Sequence, residues 1–240
     1  MKHVGILGHS WEGASLCWRE VCRHSNRLGH PAHPDITMDC ISFEHCMPAW
    51  EAGDHEAARA VLATSIDRLA RAGCDFFVCP DNTAHLALEA PGDPLALPGV
   101  HLVDVVARAA ERAGHSRVGI LGTRFTMRGP LYPRELAEWG IDAVIPSDED
   151  QEMVHEAIFG ELVHGEFRED TRRSFVDLIG RLGESGCDAI ALVCTEIPLL
   201  LSPEDSPLPV LDSTRSSARA AAEIALGLEA MPTWRGSEFR

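Results

Sequence analysis

A five-residue string, Val4-Gly5-Ile6-Leu7-Gly8, returns letter for letter as Val118-Gly119-Ile120-Leu121-Gly122. A second landmark, Gly73-Cys74-Asp75, returns as Gly186-Cys187-Asp188, each time ahead of an apolar run. The offsets are 114 and 113 residues, so two landmarks agree on one period in a chain of 240. Such agreement predicts two similar halves with a pseudo-two-fold relation and a cleft between them. The expected halves are residues 1–105 and 106–212, with a closing helix over 214–229 packing back on the first.

Within each half, short apolar runs alternate with stretches of helical periodicity. Val4–Gly8 reads as a strand ended by glycine, followed by a helix over 14–28. Helical spacing returns over 55–72 and stops at Gly73, as a C-cap would stop it. A buried strand over 75–79 and a helix beginning at Thr83 follow, then helix 104–113, strand 117–121, helix 130–139 and strand 141–145. Helices over 150–164 and 170–185 and a strand over 188–193 complete the second half. Alternation of this length predicts an α/β class of two flavodoxin-like, doubly wound parallel sheets. The tail 231–240 has little apolar content, and Gly236-Ser237-Glu238-Phe239 looks like cloning-site read-through, so it is set outside the expected fold.

Charge narrows the partners. Lys and Arg number 21 and Asp and Glu 37, for a net charge of −16, and Lys2 is the only lysine. A chain this acidic is repelled by nucleic acid and by anionic membrane surfaces, so neither is an expected partner. No apolar run has the length of a membrane span and no signal peptide precedes the first strand, which predicts a cytoplasmic protein. Eight cysteines then read as reduced thiols. No Cys-x2-Cys pair occurs and the histidines lack metal-ligand spacing, so no metal site is expected.

The repeat singles out one position in each half. Six residues after Asp75 comes Asp81, and six after Asp188 comes Cys194. Both stand where a buried strand ends, in Asp81-Asn82-Thr83-Ala84-His85 and Cys194-Thr195-Glu196-Ile197-Pro198. Open α/β sheets bind ligands at the carboxyl ends of their strands, and free N–H groups at helix N-termini suit a small carboxylate. Opposed titratable groups there are suited to moving protons at a carbon next to a carboxylate. Plainer readings stand beside this one. Asp81, Asn82 and Thr83 are good N-cap residues, Thr195 and Glu196 equally so, and Thr123 is a natural turn residue. Cys194 reads as readily as a core filler, the role given to Cys74 and Cys187, and His85 either orients Asp81 or packs.

The two tips together resemble the aspartate/glutamate racemase superfamily, whose patterns there are Cys-Asn-Thr-Ala-His and Gly-Cys-Thr-Glu. Gly5-Ile6-Leu7-Gly8, Gly53-Asp54, Gly122-Thr123 with Thr126, and Asp212-Ser213-Thr214 extend the similarity over residues 3–228. The resemblance implies a cofactor-independent enzyme, dimeric, with its active site between the halves. One residue takes the α-proton of an amino acid or related small carboxylate and an opposed residue returns it. Carried onto this chain, those roles fall to Asp81 and Cys194, with Ser10, Asn82, Thr83, Thr123, Thr126, Thr195 and Glu196 around the substrate and His85 in support. Three positions depart from the pattern. Asp81 replaces the leading cysteine. Val163 falls where aspartate racemases place a carboxylate-binding lysine. The first glycine-rich loop reads Gly8-His9-Ser10-Trp11-Glu12-Gly13.

The aspartate matters most. A free carboxyl has a pKa near 3.9 and a thiol near 8.5, so Asp81 alone is the poorer base by roughly 6 kcal/mol. Burial is expected to recover part of this by raising the carboxyl pKa. Alongside a racemase or epimerase, two other readings stay open. One is a decarboxylase or lyase with Cys194 as the proton donor, and the other is a carboxylate-binding protein without turnover.

Overall fold

The protein, seen here in a computed structural model, is described over residues 1–237. It divides into two units. One comprises Met1–Leu102 together with the segment from Thr214 onward, the other Val103–Ser213.

In the first unit four parallel strands lie in the order β2-β1-β3-β4, with β1 Val4–Gly8, β2 Ile36–Cys40, β3 Phe76–Val78 and β4 Gly99–Val100. Val4 is in register with Ile36 on one side and Phe76 on the other. In the second unit the order is β6-β5-β7-β8, with β5 Arg117–Gly122, β6 Asp142–Val144, β7 Ala189–Val193 and β8 Val210–Asp212. Val118 faces Ala189 and Arg117 faces Asp142. The repeated string thus forms the same central strand, β1 and β5, in both sheets. β1 is buried along its whole length, as a parallel strand covered on both faces by helices must be.

The repeats have local physical causes. A Cβ on Gly8 would come within 2.8 Å of the Ala14 Cβ, and one on Gly122 within 2.7 Å of the Val193 carbonyl oxygen, so both strand ends require glycine. Asp75 accepts the His3 N–H at 2.7 Å, and Asp188 accepts the Ser116 N–H at 2.8 Å. Each aspartate staples the start of one strand to its neighbour. The preceding glycines, at φ +86° and +97°, end helices His55–Arg71 and Glu169–Glu184 in the left-handed conformation. The fully buried core of the first unit includes Ile6, Leu7, Leu62, Ile66, Leu69, Phe76 and Phe77. That of the second is built on Ile120, Phe175, Leu178, Ile179, Ile190 and Leu192.

The elements differ from expectation mainly at edges. The first helix runs Trp11–Arg27, three residues earlier than expected, because Ser10 caps it by accepting the Gly13 N–H at 3.1 Å. The helix expected over 150–164 runs Asp148–Gly160 and is followed by the separate turn Leu162–His164. The last helix stops at Ala225. Strands β2, β4 and β8 were absent from the periodicity, since the first is half-exposed and the others have only two and three residues. The tail is the larger correction. Trp234 is buried and bridges to Gly99, so residues as far as Ser237 belong to the first unit, whereas 238–240 lie outside the described residues.

Candidate active-site residues

With strand order 2-1-3-4, the chain reverses its winding direction between β1 and β3, and in the second unit between β5 and β7. Ligand sites of doubly wound sheets form at the carboxyl ends of such strand pairs. In the first unit these ends carry His9 and Asp81, in the second Thr123 and Cys194.

Asp81 is the N-cap of the helix Asn82–Leu88, its Oδ1 accepting the Ala84 N–H at 3.3 Å. Its Oδ2 lies 2.9 Å from His9 Nδ1, and the His9 side chain is wholly buried while 18% of the Asp81 side chain is exposed. Burial by itself disfavours the His9 imidazolium, yet hydrogen bonding and charge from Asp81 and Cys46 raise its pKa to about 9. Phe43 packs on the ring at 4.9 Å. Burial would likewise raise the Asp81 pKa, but the His9 hydrogen bond and charge outweigh it and hold the carboxyl below its ordinary value. The upward shift expected from desolvation is therefore reversed.

His85 does not touch the Asp81 carboxylate. Its Nδ1 is 2.9 Å from the Asp81 backbone oxygen, and its Nε2 accepts the Leu102 N–H at 3.2 Å. A nitrogen that accepts carries no proton, so Nδ1 is the protonated one and donates to the carbonyl. Burial, then the neighbouring His101, push its pKa down to about 4. Asn82 and Thr83 are buried in the first turn of the same helix, where Asp81 already takes one of the N–H groups expected to receive a substrate anion.

In the second unit Thr123 caps the helix Arg124–Arg128, accepting the Thr126 N–H at 3.2 Å, and the two hydroxyls are also 3.2 Å apart. Cys194 is buried at 6% exposure on the edge of the second core. Its Sγ donates to Glu196 Oε2 at 3.1 Å, and the Thr195 hydroxyl donates to the same oxygen at 2.6 Å. Glu196 makes no capping bond to the short helix Ile197–Leu200. Its carboxylate serves the thiol instead.

Sequence reasoning passed over His9 as a reacting group. The signal that finds it is topological, because the residue after β1 becomes the neighbour of the residue after β3 only once those strands pair. Ser10 stands as a helix cap and Trp11 is 62% exposed. All eight cysteines are free, and Cys74 and Cys187 are buried. Among the described residues no group of three or more His, Cys, Asp or Glu side chains could hold a metal ion, and no helix is long and apolar enough to cross a membrane.

This architecture, two parallel four-stranded sheets of one order, is shared with known proteins. The family model described as Asp/Glu/Hydantoin racemase matches residues 6–221. The chain belongs to the Asp/Glu/hydantoin racemase family. A candidate Asp/Glu racemase from Yersinia pestis is 32% identical, with a TM-score of 0.80 over 94% of this chain and 100% of that one. An aspartate racemase homologue from Pyrococcus horikoshii is 26% identical, with a TM-score of 0.77 over 94% and 100%. The broad specificity amino-acid racemase RacX of Bacillus subtilis is 24% identical over 230 residues, 94% of this chain and 99% of that protein. Within the Asp/Glu/hydantoin racemase family, this member carries an Asp–His pair at one tip and a Cys–Glu pair at the other.

Proposed function

We propose that this chain catalyses racemase- or epimerase-type proton transfer at the α-carbon of an amino acid or related small carboxylate, without an added cofactor. The observation that carries the proposal is that each tip pairs its titratable residue with a buried partner, Asp81 with His9 and Cys194 with Glu196.

The first pairing answers the weakness of aspartate as a base. Asp81 alone trails a thiolate by roughly 6 kcal/mol. The Asp81–His9 pair, however, gives up its extra proton only at a pKa of about 9. That is within about half a unit of a free thiol, a difference below about 1 kcal/mol. In one direction, starting from neutral His9, Asp81 takes the α-proton and relays it along the 2.9 Å bond to His9 Nδ1, while the Cys194 thiol protonates the opposite face and is left as the thiolate. In the other, which starts from the His9 imidazolium and the Cys194 thiolate, the thiolate takes the α-proton and His9 returns one through Asp81; from the resting thiol, Glu196 forms that thiolate by taking the thiol proton and passing it to water. The electron pair left on carbon moves into the substrate carboxylate, where Asn82, Thr83, Thr123, Thr126 and Thr195 are the proposed hydrogen-bonding residues. Val163 packs partly buried against the second core, which favours a substrate without a second carboxylate.

The test is proton NMR in D2O with L- and D-amino acids and substituted malonates. Loss of the α-proton signal from an amino acid, with inversion on chiral analysis and abolition in Cys194→Ala, is the expected result. Release of carbon dioxide from a malonate with no amino-acid exchange overturns it in favour of decarboxylation. Thermal stabilisation by a carboxylate with no turnover of either class overturns it in favour of a binding protein.

A further inference from the structure

The segment following the last helix takes no part in the chemistry above, yet it is stitched to the edge of the first sheet. The Gly99 N–H donates to the Trp234 carbonyl at 2.7 Å, the Leu95 N–H to the Arg235 carbonyl at 2.9 Å, and the Ser237 N–H to the Leu88 carbonyl at 3.2 Å. The Arg235 guanidinium reaches the carbonyls of Leu95 and Ala96 at 3.0 and 2.9 Å. Gly236 sits at φ +79°, and a side chain there would run into the Arg59 guanidinium. These bonds cover β4, an edge strand whose outer backbone groups need partners.

The strap delivers one large side chain. The Trp234 indole stacks on His85 with ring centroids 5.7 Å apart and planes 10° from parallel, and meets His101 edge-on at 4.9 Å. Its own N–H is used on the Ser237 carbonyl at 3.1 Å. His85 in turn bridges the Asp81 carbonyl and the Leu102 N–H. The ionisable groups around His85 are Asp81, Glu89 and His101, the last 5.2 Å away edge-on and bonded to Glu89 Oε1 at 2.8 Å.

We propose that Trp234 is a positioning residue, which keeps His85 dry, neutral and flat so that His85 holds the Asp81 backbone and thereby aims its carboxylate. Imidazolium has two donors and no acceptor, so a protonated His85 cannot receive the Leu102 N–H and must leave its place. Burial, including that by the indole, opposes protonation and sets the His85 pKa at about 4. Without Trp234, water reaches the ring, protonation becomes easier, and the Asp81 carbonyl loses its donor.

The inference rests on Asp81 being a reacting group, and its test separates the two claims. Imidazole nitrogen NMR, with His85 assigned by His85→Gln, is followed from pH 4.5 to 8 in the wild type, Trp234→Phe and Trp234→Ala. The wild type and Trp234→Phe are expected to keep the neutral Nδ1–H form down to about pH 5. In Trp234→Ala, His85 is expected to titrate one to two pH units higher. The variant's α-proton exchange falls at most about twofold at pH 6 and up to about tenfold at pH 5, relative to the wild type, with KM nearly unchanged, and recovers toward pH 8. Should Trp234→Ala not fold, Trp234→Leu makes the same comparison, since it keeps apolar volume but cannot stack. A His85 titration that stays in place, or a loss of activity equal at all pH values, overturns the proposal. Absence of exchange by the wild type overturns the function proposed above, and the His85 titration still decides the role of Trp234.

Discussion

His9 Nδ1 and Asp81 Oδ2 are 2.9 Å apart although 72 residues separate them in the chain, and each shifts the other's pKa in the direction of an ion pair. The imidazolium is stabilised to about 9 and the carboxyl is pulled below its ordinary value, both against the pressure of burial. In the proposed reaction this pair is the proton-carrying group of the first unit.

Stability should fall on the alkaline side through His9. A histidine whose folded pKa is raised from 6.5 to about 9 contributes fully below pH 6.5 and loses that contribution as pH rises toward 9. The window corresponds to about 3 kcal/mol at most. Urea unfolding at pH 6.5 and 9.5 measures it. The drop is expected to shrink in His9→Asn, and an unchanged drop would remove His9 as its source.

On the acid side His85 acts with the opposite sign. Its folded pKa is lowered to about 4, so it contributes above pH 6.5 and the contribution is lost as pH falls from 6.5 to about 4. The loss again amounts to about 3 kcal/mol at most. His85→Gln should flatten this limb in a thermal melt series, leaving the alkaline limb in place.

Glu196→Gln preserves shape but removes the charge that receives the Cys194 thiol proton. Steady-state α-proton exchange is expected to fall about 10²-fold, within the range for loss of a general-base partner. Glu196→Ala adds a structural penalty, since the Cys194 and Thr195 donors lose their buried acceptor at about 1–3 kcal/mol. Comparing the two variants by exchange rate and urea midpoint separates chemistry from stability.

Gly8→Ala and Gly122→Ala test the repeat itself. Each inserts a methyl within 2.8 Å or less of a packed neighbour, so each is expected to cost about 1–3 kcal/mol in urea unfolding. Gly53→Ala meets no atom within 4 Å but sits at φ +66°, and its cost comes from backbone strain alone.

Fold class was legible in the sequence because it depends on local period and on repetition. The letters of Val4–Gly8 and Val118–Gly122 are those a buried central strand with a close-packed glycine end demands, and the two Gly-Cys-Asp strings encode a helix stop and a strand staple. The same repeat pointed to Asp81 and Cys194 as strand-tip residues. The partner of Asp81 was not legible in the same way, whereas Glu196 stood two residues from Cys194 in the same motif. His9 meets Asp81 only through the pairing of β1 with β3, and Trp234 reaches His85 only because the strap binds the edge of β4. A pKa depends on burial and on the nearest charges, both properties of the packed fold, so sequence arithmetic raised the Asp81 value where the tertiary structure lowers it.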